Sequence, residues 1–330
     1  MADHYVLVTD CAWPVLDIEQ EILAAAGMDI ILAESGDEEE LLALAPQAVA
    51  ILTTWKPVTA RVLDAAHQCL TVSNYGVGVD NIDLEHATAL GIIVSYVPDY
   101  CVEEVSDHAM ALLLACARRI GIFDRLTHQG SWDRHAGRPM YRIRGKTLGL
   151  IGYGNIARAM VPKAQGFGLN IMAYTPYLEE GVSDSGVTLT HDLPALLAQA
   201  DYVSIHAPLT DKTQGMVNVD FLRQMQSHAF LINTSRGAIV DDEALYQALT
   251  QGWIAGAGLD VLLHEPPPSD YPLLSLDNVI VTPHAAFDSQ EALEELQTRA
   301  ATHIVQVFNG VVPEQVANPA VLARDNLRRK

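Results

Sequence analysis

The stretch from Thr147 to Thr175 constrains this chain more than any other. Residues 147–151 (Thr-Leu-Gly-Leu-Ile) are apolar and strand-like, and they run directly into Gly152, Tyr153, Gly154, Asn155, Ile156 and Ala157. Apolar residues then recur at helical spacing (Ile156, Met160, Ala164, Phe167) before a second apolar strand at 169–174. Strand, glycine turn, helix and strand in that order form a unit that cradles a dinucleotide. Gly152 allows the tight turn, Gly154 lets backbone approach a pyrophosphate, and Ala157 is small enough for the helix to pack on the strand. The helix N-terminus then offers N–H groups to the phosphates. A bare glycine pattern arises by chance; the flanking strand and helix favour a nucleotide site over an ordinary strand-to-helix turn.

At 330 residues, two domains are expected rather than one. No apolar run approaches the roughly 20 residues of a membrane span. The opening Met-Ala-Asp-His-Tyr shows no basic leader followed by an apolar core. Cys11, Cys69, Cys101 and Cys116 lie far apart with no CxxC, the pattern of thiols in a reducing, cytoplasmic setting. Twenty basic residues against 41 acidic give a net charge of −21. Such a field repels nucleic acid and anionic membrane, so neither is an expected partner. An anionic substrate could be held only at a local cationic spot. The acidic runs at 37–40 and 294–295 read as solvated helix faces.

Taken in order, residues 5–9 read as a strand and Asp17 to Gly27 as a helix. Strands near 29–32, 48–52, 70–73 and 92–94 alternate with helices near 37–44, 59–66 and 83–90. This rhythm implies βαβ units and a parallel sheet. Two strand-end loops in it, 53–57 and 74–80, stand where ligands bind in such sheets. Gly76 and Gly78 could leave backbone N–H groups uncovered as a small anion nest, or they could only shape a turn, with Asp80 capping the next helix. From Cys101 to Arg119 runs a long apolar helix, with acids in its first turns and Arg118 and Arg119 suited to its negative end. It reads as an interdomain crossover or a subunit contact, with His108 as a hydrogen-bonded packing residue. Residues 130–145 are irregular and locally basic. Further helices are expected near 192–199, 218–225, 241–251 and 288–309. Strands are expected at 202–205, 229–232, 254–259 and 279–281.

Three strand-end segments of the second half carry candidate chemistry: 233–237 with Arg236, 258–266 with Glu265, and 282–285 with His284. Each alone has a bland explanation, such as a surface ion pair or a solvated loop acid. Together they place a cation, a carboxylate and an imidazole on the sheet edge that bears the glycine turn. Arg236 could grip a substrate carboxylate through its fork. His284 could give a proton to a carbonyl oxygen as hydride arrives, and take it back in reverse. Glu265 would orient the ring and favour the imidazolium. No metal-ligand spacing is visible.

The chain resembles the D-isomer-specific 2-hydroxyacid dehydrogenases over nearly its full length. The resemblance rests on Asn74 to Asp80, Gly152 to Ala157, His206 to Thr210, Asn233 to Gly237 with Asp241, Gly258 to Val261 with Glu265 and Pro266, and Thr282 to His284. It implies an α/β architecture of two doubly wound parallel-sheet domains, with a Rossmann cofactor domain (101–287) inserted into a flavodoxin-like substrate domain (1–100 and 288–330). It also implies a homodimer, with Arg236, Glu265 and His284 as the catalytic trio and His284 as general acid/base. Cofactor contacts would come from Gly152, Gly154, Asn155, Ile156, Thr175, His206, Pro208, Thr213, Thr234, Ser235 and Asp260, with Arg236 and His284 beside them. Substrate contacts would come from Trp55, Val77, Gly78, Arg236 and His284. Residues 97–105 look closest to the branch that includes the C-terminal-binding-protein corepressors.

Thr175 stands where the family commonly has an aspartate for the adenosine ribose. That removes one selector for NAD over NADP, yet no nearby arginine awaits a 2′-phosphate and Glu179 and Glu180 would repel one, so NAD is expected. Glu265 argues against formate as substrate and Val77 against phosphite, since the corresponding enzymes resemble this chain but differ there. A small or medium 2-oxo or 2-hydroxy acid is expected, its side chain against Trp55 or Tyr75. Trp132, Arg138 or Tyr141 of the basic loop could reach a partner's cleft. The alternative is an NAD(H)-sensing, corepressor-like binding protein with little turnover.

Overall fold

The computed structural model describes residues 4–329. Residues 1–3, within the N-terminal stretch expected to carry no leader, and Lys330 lie outside the described residues. The chain divides into one unit of Met1–Tyr100 with Ser289–Lys330 and a second of Cys101–Asp288.

The first unit begins β1 (Tyr5–Val8), α1 (Asp17–Ala25), β2 (Asp29–Leu32), α2 (Glu38–Leu44) and β3 (Ala48–Thr53). It continues α3 (Ala60–Ala65), β4 (Thr71–Asn74), α4 (Leu84–Ala89) and β5 (Ile93–Ser95). The helices start where short polar side chains can take an orphan N–H. Asp37, Thr59 and Asp83 accept from Glu40, Val62 and His86. The strands pair in parallel in the order β2-β1-β3-β4-β5, the flavodoxin-like winding. β3 is buried along its whole length, as a strand covered on both faces must be. The order reverses between β1 and β3. There the Asp10 carboxylate accepts from Thr54 N at 3.0 Å and Trp55 N at 2.8 Å, tying the two strand-end loops together.

The second unit opens with α5 (Val102–Ala117) and α6 (Ile120–His128). It then runs β6 (Thr147–Ile151), α7 (Asn155–Gly166), β7 (Asn170–Tyr174), β8 (Gly181–Val182), β9 (Thr188–Thr190), α8 (Leu193–Gln199) and β10 (Tyr202–Ile205). α9 (Val219–Gln224), β11 (Phe230–Asn233), α10 (Asp242–Thr250), β12 (Gly256–Leu259) and β13 (Val279–Val281) complete it. Its sheet runs β13-β12-β11-β10-β6-β7-β9-β8, parallel except for the antiparallel edge pair β8–β9. α6, β8 and β9 have no counterpart in the sequence pattern; β9 is a three-residue polar strand held by its pairing with β7. α5 packs on α7 and on β11, β12 and β13, so its apolar face is buried inside this unit. Arg119 does not sit at the end of α5 as a dipole partner. It adopts a left-handed φ of 55° and turns its guanidinium to Ala255 O and the Phe230 ring. Core side chains such as Leu148, Leu150 and Ile151 are fully buried, each stabilising by about 1.5–3 kcal/mol relative to exposure.

α11 (Gln290–Phe308), capped by Ser289 Oγ, returns to the first unit and packs on α1 and β4.

Candidate active site

The sheet of the second unit reverses order between β6 and β10, and the glycine turn sits at that point. Gly152 has φ +97°, and a Cβ there would lie 2.6 Å from His206 O and 2.8 Å from His206 C. The close passage of the two loops therefore demands glycine twice over, for conformation and for space. Gly154 has the opposite setting: a Cβ added to it would meet nothing within 4 Å. It is the N-cap of α7 and supplies no side-chain cap, so the helix start, with Asn155 and Ile156 in its first turn, is open to an anion.

The neighbouring loops complete the cradle. His206 Nε2 lies 2.9 Å from Ser204 Oγ, and burial pushes its imidazole down to about 4, leaving it neutral near pH 7. Thr213 Oγ1 donates to Pro208 O at 2.6 Å and accepts from Thr210 N at 2.8 Å, pinning the 208–213 turn. Ser235 Oγ donates to Ile205 O. Thr234 Oγ1 is buried and has no hydrogen-bond partner among the described residues, an orphan that costs free energy until something meets it. Thr175 is buried at the end of β7, its hydroxyl accepting from Tyr177 N. Glu180 is fixed at the end of β9, where its carboxylate accepts from His191 N at 2.8 Å. A dinucleotide fits this set: an uncapped helix start, a side-chain-free approach at Gly154 and an unmet hydroxyl.

The same sheet edge carries Arg236, Glu265 and His284. His284 Nδ1 lies 2.7 Å from Glu265 Oε2, while Glu265 Oε1 accepts from Leu262 N at 2.8 Å. Burial opposes ionisation of Glu265. The hydrogen bond and charge of His284, the Leu262 N–H and the charge of Arg236 outweigh it and hold the carboxyl below its ordinary range. Arg236 Nη1 donates to Ser235 O at 2.9 Å, and its own carbonyl accepts from Asn233 Nδ2 at 3.0 Å. Asn233 is fully buried and also accepts from Ser235 N, so one amide braces the whole turn. His284 has φ 53°, a left-handed conformation rare for a residue with a Cβ. Such an arrangement can grip an anion, orient an imidazole and exchange a proton.

Asp260 directly follows β12. It is 1 % exposed, and its carboxylate accepts from Thr282 Oγ1, Ala285 N and Ala286 N. It is the brace of the loop that carries His284. Gly237 is another residue that sequence pattern alone passes over. A Cβ there would lie 2.0 Å from Leu262 C and O, so the Arg236 loop and the Glu265 loop touch backbone to backbone. Its glycine in an Asn-Thr-Ser-Arg-Gly run is the available signal.

In the first unit, Trp55 is 49 % exposed and Val77 38 % exposed on their strand-end loops. Gly78 is held through its carbonyl by Asn74 Nδ2 at 2.9 Å. Neither Gly76 nor Gly78 takes a positive φ, so the αR–αL alternation of an anion nest is not formed there. Tyr75 offers no wall to a substrate. It is buried, edge-on to Trp13, with its hydroxyl on Glu19. Tyr141 lies by His228 and Lys146, which precede β11 and β6, at the sheet edge opposite to the trio of its own chain.

Comparison with known proteins then decides the family. Residues 110–286 match the NAD-binding domain of the D-isomer-specific 2-hydroxyacid dehydrogenases. The chain belongs to that family. It is 42 % identical to a glyoxylate reductase of Korarchaeum cryptofilum over 83 % of each chain. It is 38 % identical to a D-3-phosphoglycerate dehydrogenase of Methanocaldococcus jannaschii, over 98 % of this chain and 61 % of that one. Among solved structures, it superposes with a TM-score of 0.85 and 29 % identity on an NADPH-dependent glyoxylate/hydroxypyruvate reductase of Sinorhizobium meliloti in complex with NADP and malonate, covering 100 % of this chain and 99 % of that one. The family makes the chain an NAD(P)-dependent 2-hydroxyacid dehydrogenase. The corepressor-like branch expected from residues 97–105 is corrected: the sequence relatives it resembles include glyoxylate reductases and phosphoglycerate dehydrogenases. Among the described residues, no group of three or more His, Cys, Asp or Glu could hold a metal, and no helix is long and apolar enough to cross a membrane.

Proposed function

We propose that this protein reduces a small 2-oxo acid of the glyoxylate class to its 2-hydroxy acid, D-specific where a stereocentre forms, with NADH as the preferred donor. When bound, the nicotinamide supplies the hydride. Gly152, Gly154, Asn155 and Ile156 would hold its pyrophosphate, and Thr234 Oγ1 would gain the partner it lacks. Arg236 binds the substrate carboxylate.

The observation that carries the reading is the 2.7 Å approach of His284 Nδ1 to Glu265. With Nδ1 committed to the carboxylate, proton exchange with the substrate oxygen falls to Nε2, and Glu265 stabilises the charged ring that donates. A phosphorylated substrate is disfavoured by the net charge of −21. NADH is favoured over NADPH because Thr175 brings no cation and Glu180 is fixed nearby at the end of β9. Trp132, 90 % exposed on the basic loop, supports the reading that a second copy covers this region as a homodimer.

The test is oxidation of NADH and NADPH by wild type and His284→Ala with glyoxylate, hydroxypyruvate, pyruvate and an aromatic 2-oxo acid. Turnover by wild type alone, fastest on the small acids and with NADH, is expected. Equal rates in the two proteins would overturn the assignment of His284, and at least a tenfold preference for NADPH would overturn that of the cofactor.

A further inference from the structure

The left-handed turn that presents His284 needs a cause, because a non-glycine residue held there costs of order 1–3 kcal/mol unless its surroundings over-determine it. The bracing starts from Asp260, at the end of β12. Its main-chain oxygen accepts from His284 N at 2.8 Å. Its Oδ1 accepts from Thr282 Oγ1 at 2.6 Å and Ala285 N at 3.0 Å, and its Oδ2 accepts from Ala286 N at 2.9 Å. The turn is therefore gripped on both sides of Pro283 and again beyond His284.

A further side chain enters from a distant part of the sequence. His108, on α5, places Nε2 2.9 Å from Thr282 Oγ1 and 3.5 Å from Asp260 Oδ1. A threonine hydroxyl has one proton. At 2.6 Å that proton belongs to the bond with Asp260, so the Thr282 oxygen accepts from His108, and Nε2 must carry a hydrogen. The result is a directed chain: His108 Nε2–H to Thr282 Oγ1–H to Asp260 Oδ1. The chain ends on the carboxylate of a residue only 1 % exposed, and that carboxylate holds the His284 turn. α5 is anchored independently by its packing on β11, β12 and β13, so His108 is delivered from a rigid element.

We propose that His108 and Thr282 are positioning residues for the proposed reaction, acting through Asp260 to set the ring of His284 against Glu265. This rests on the reading of His284 as the proton donor. His108 does not touch the reacting atoms; its work is to hold Thr282, and through it Asp260, in place. Glutamine at 108 can still donate a hydrogen bond to Thr282, and leucine cannot. Serine at 282 keeps the relay, and valine removes it.

The experiment uses the full-length protein and two readouts. One is the hydrogen-bonded Nδ1–H proton resonance of His284 in ¹⁵N-histidine spectra without cofactor, assigned by its loss in His284→Ala. The other is steady-state reduction of glyoxylate by NADH. His108→Leu and Thr282→Val should each broaden or abolish the resonance and lower kcat about tenfold, the effect of losing one charge-linked hydrogen bond, with KM for NADH changed less than about threefold. His108→Gln and Thr282→Ser should keep both readouts near wild type, and the Leu/Val double variant should be no worse than the weaker single one, as members of one chain require. An unchanged resonance in His108→Leu and Thr282→Val would overturn the proposal. So would His108→Gln falling as far as His108→Leu, or losses that multiply in the double variant. If wild type turns over no 2-oxo acid, the catalytic reading falls and the resonance alone decides the relay. Should either apolar variant fail to fold, the remaining single variant and the two conservative ones decide between these outcomes.

Discussion

Gly237→Ala offers a severe test of the site, because it adds one methyl group and touches no proposed catalytic side chain. The added carbon would lie 2.0 Å from both Leu262 C and Leu262 O, and 2.5 Å from Leu263 N. All three are backbone atoms, so no rotamer change relieves the overlap. Reaching ordinary contact requires the 262–263 backbone to retreat by about 1.4 Å, the gap between 2.0 Å and the 3.4 Å at which such contacts begin. Glu265 is fastened to that backbone through Leu262 N at 2.8 Å. A shift of this size stretches the 2.7 Å bond from Glu265 to His284 beyond hydrogen-bonding range. Losing a charge-assisted hydrogen bond costs about 1.5–3 kcal/mol, which is roughly 10- to 150-fold in rate if the whole of it is felt in the transition state. Overpacking adds about 1–3 kcal/mol of lost stability. The assay pairs kcat on glyoxylate with fluorescence titration of NADH and thermal melting. A fall in kcat of about tenfold or more, a lower Tm and an NADH Kd within about threefold of wild type are expected. A variant that keeps kcat within about twofold would refute the claim that the contact between the two loops sets the trio.

Gly152→Ala must place a Cβ at φ +97° and 2.6 Å from His206 O, so an NADH Kd raised about 30-fold or more is expected from equilibrium titration, with a lower Tm. Thr234→Val removes a hydroxyl that has no partner among the described residues; Tm should hold or rise while the NADH Kd rises about two- to tenfold, measured by the same titration. Glu265 is held below its ordinary range, so its contribution is present above about pH 4.3 and lost as pH falls through the lowered value. The rate should persist into mild acid in wild type, and a pH profile of Glu265→Gln should lie far below it throughout. Glu40 is held down to about 2 by the N–H groups of Glu34, Ser35 and Gly36 and the Ser35 hydroxyl. Its stabilisation should therefore disappear between about pH 5 and pH 2, and Glu40→Gln should flatten that part of a Tm-against-pH curve.

The alternation of apolar runs and capped helices made the parallel sheets legible, because burial on both faces leaves continuous apolar strands. The glycine turn was legible because backbone geometry there excludes any other residue at 152. Glu265 and His284 could be singled out by their types and strand-end positions. What the sequence concealed was long-range. Nothing near Asp260 in the chain says that its carboxylate closes on 282–286, or that His108 reaches Thr282 from 174 positions away. Tyr75 looked like a substrate wall because its loop suggests exposure; only packing against Trp13 and a buried Glu19 withdraws it. β9 escaped notice because Thr188–Thr190 has no apolar pattern of its own and is a strand only by virtue of its neighbour.

The split of the first unit has a consequence for biosynthesis. A nascent chain exposes β1 to β5 first, yet the helix that covers α1 and β4 is α11, at Gln290–Phe308. The intervening unit, Cys101–Asp288, is fully synthesised before that helix leaves the ribosome. The domain begun last can therefore finish first, while the earlier one waits with apolar surface uncovered, and translation pauses before residue 290 would lengthen that wait.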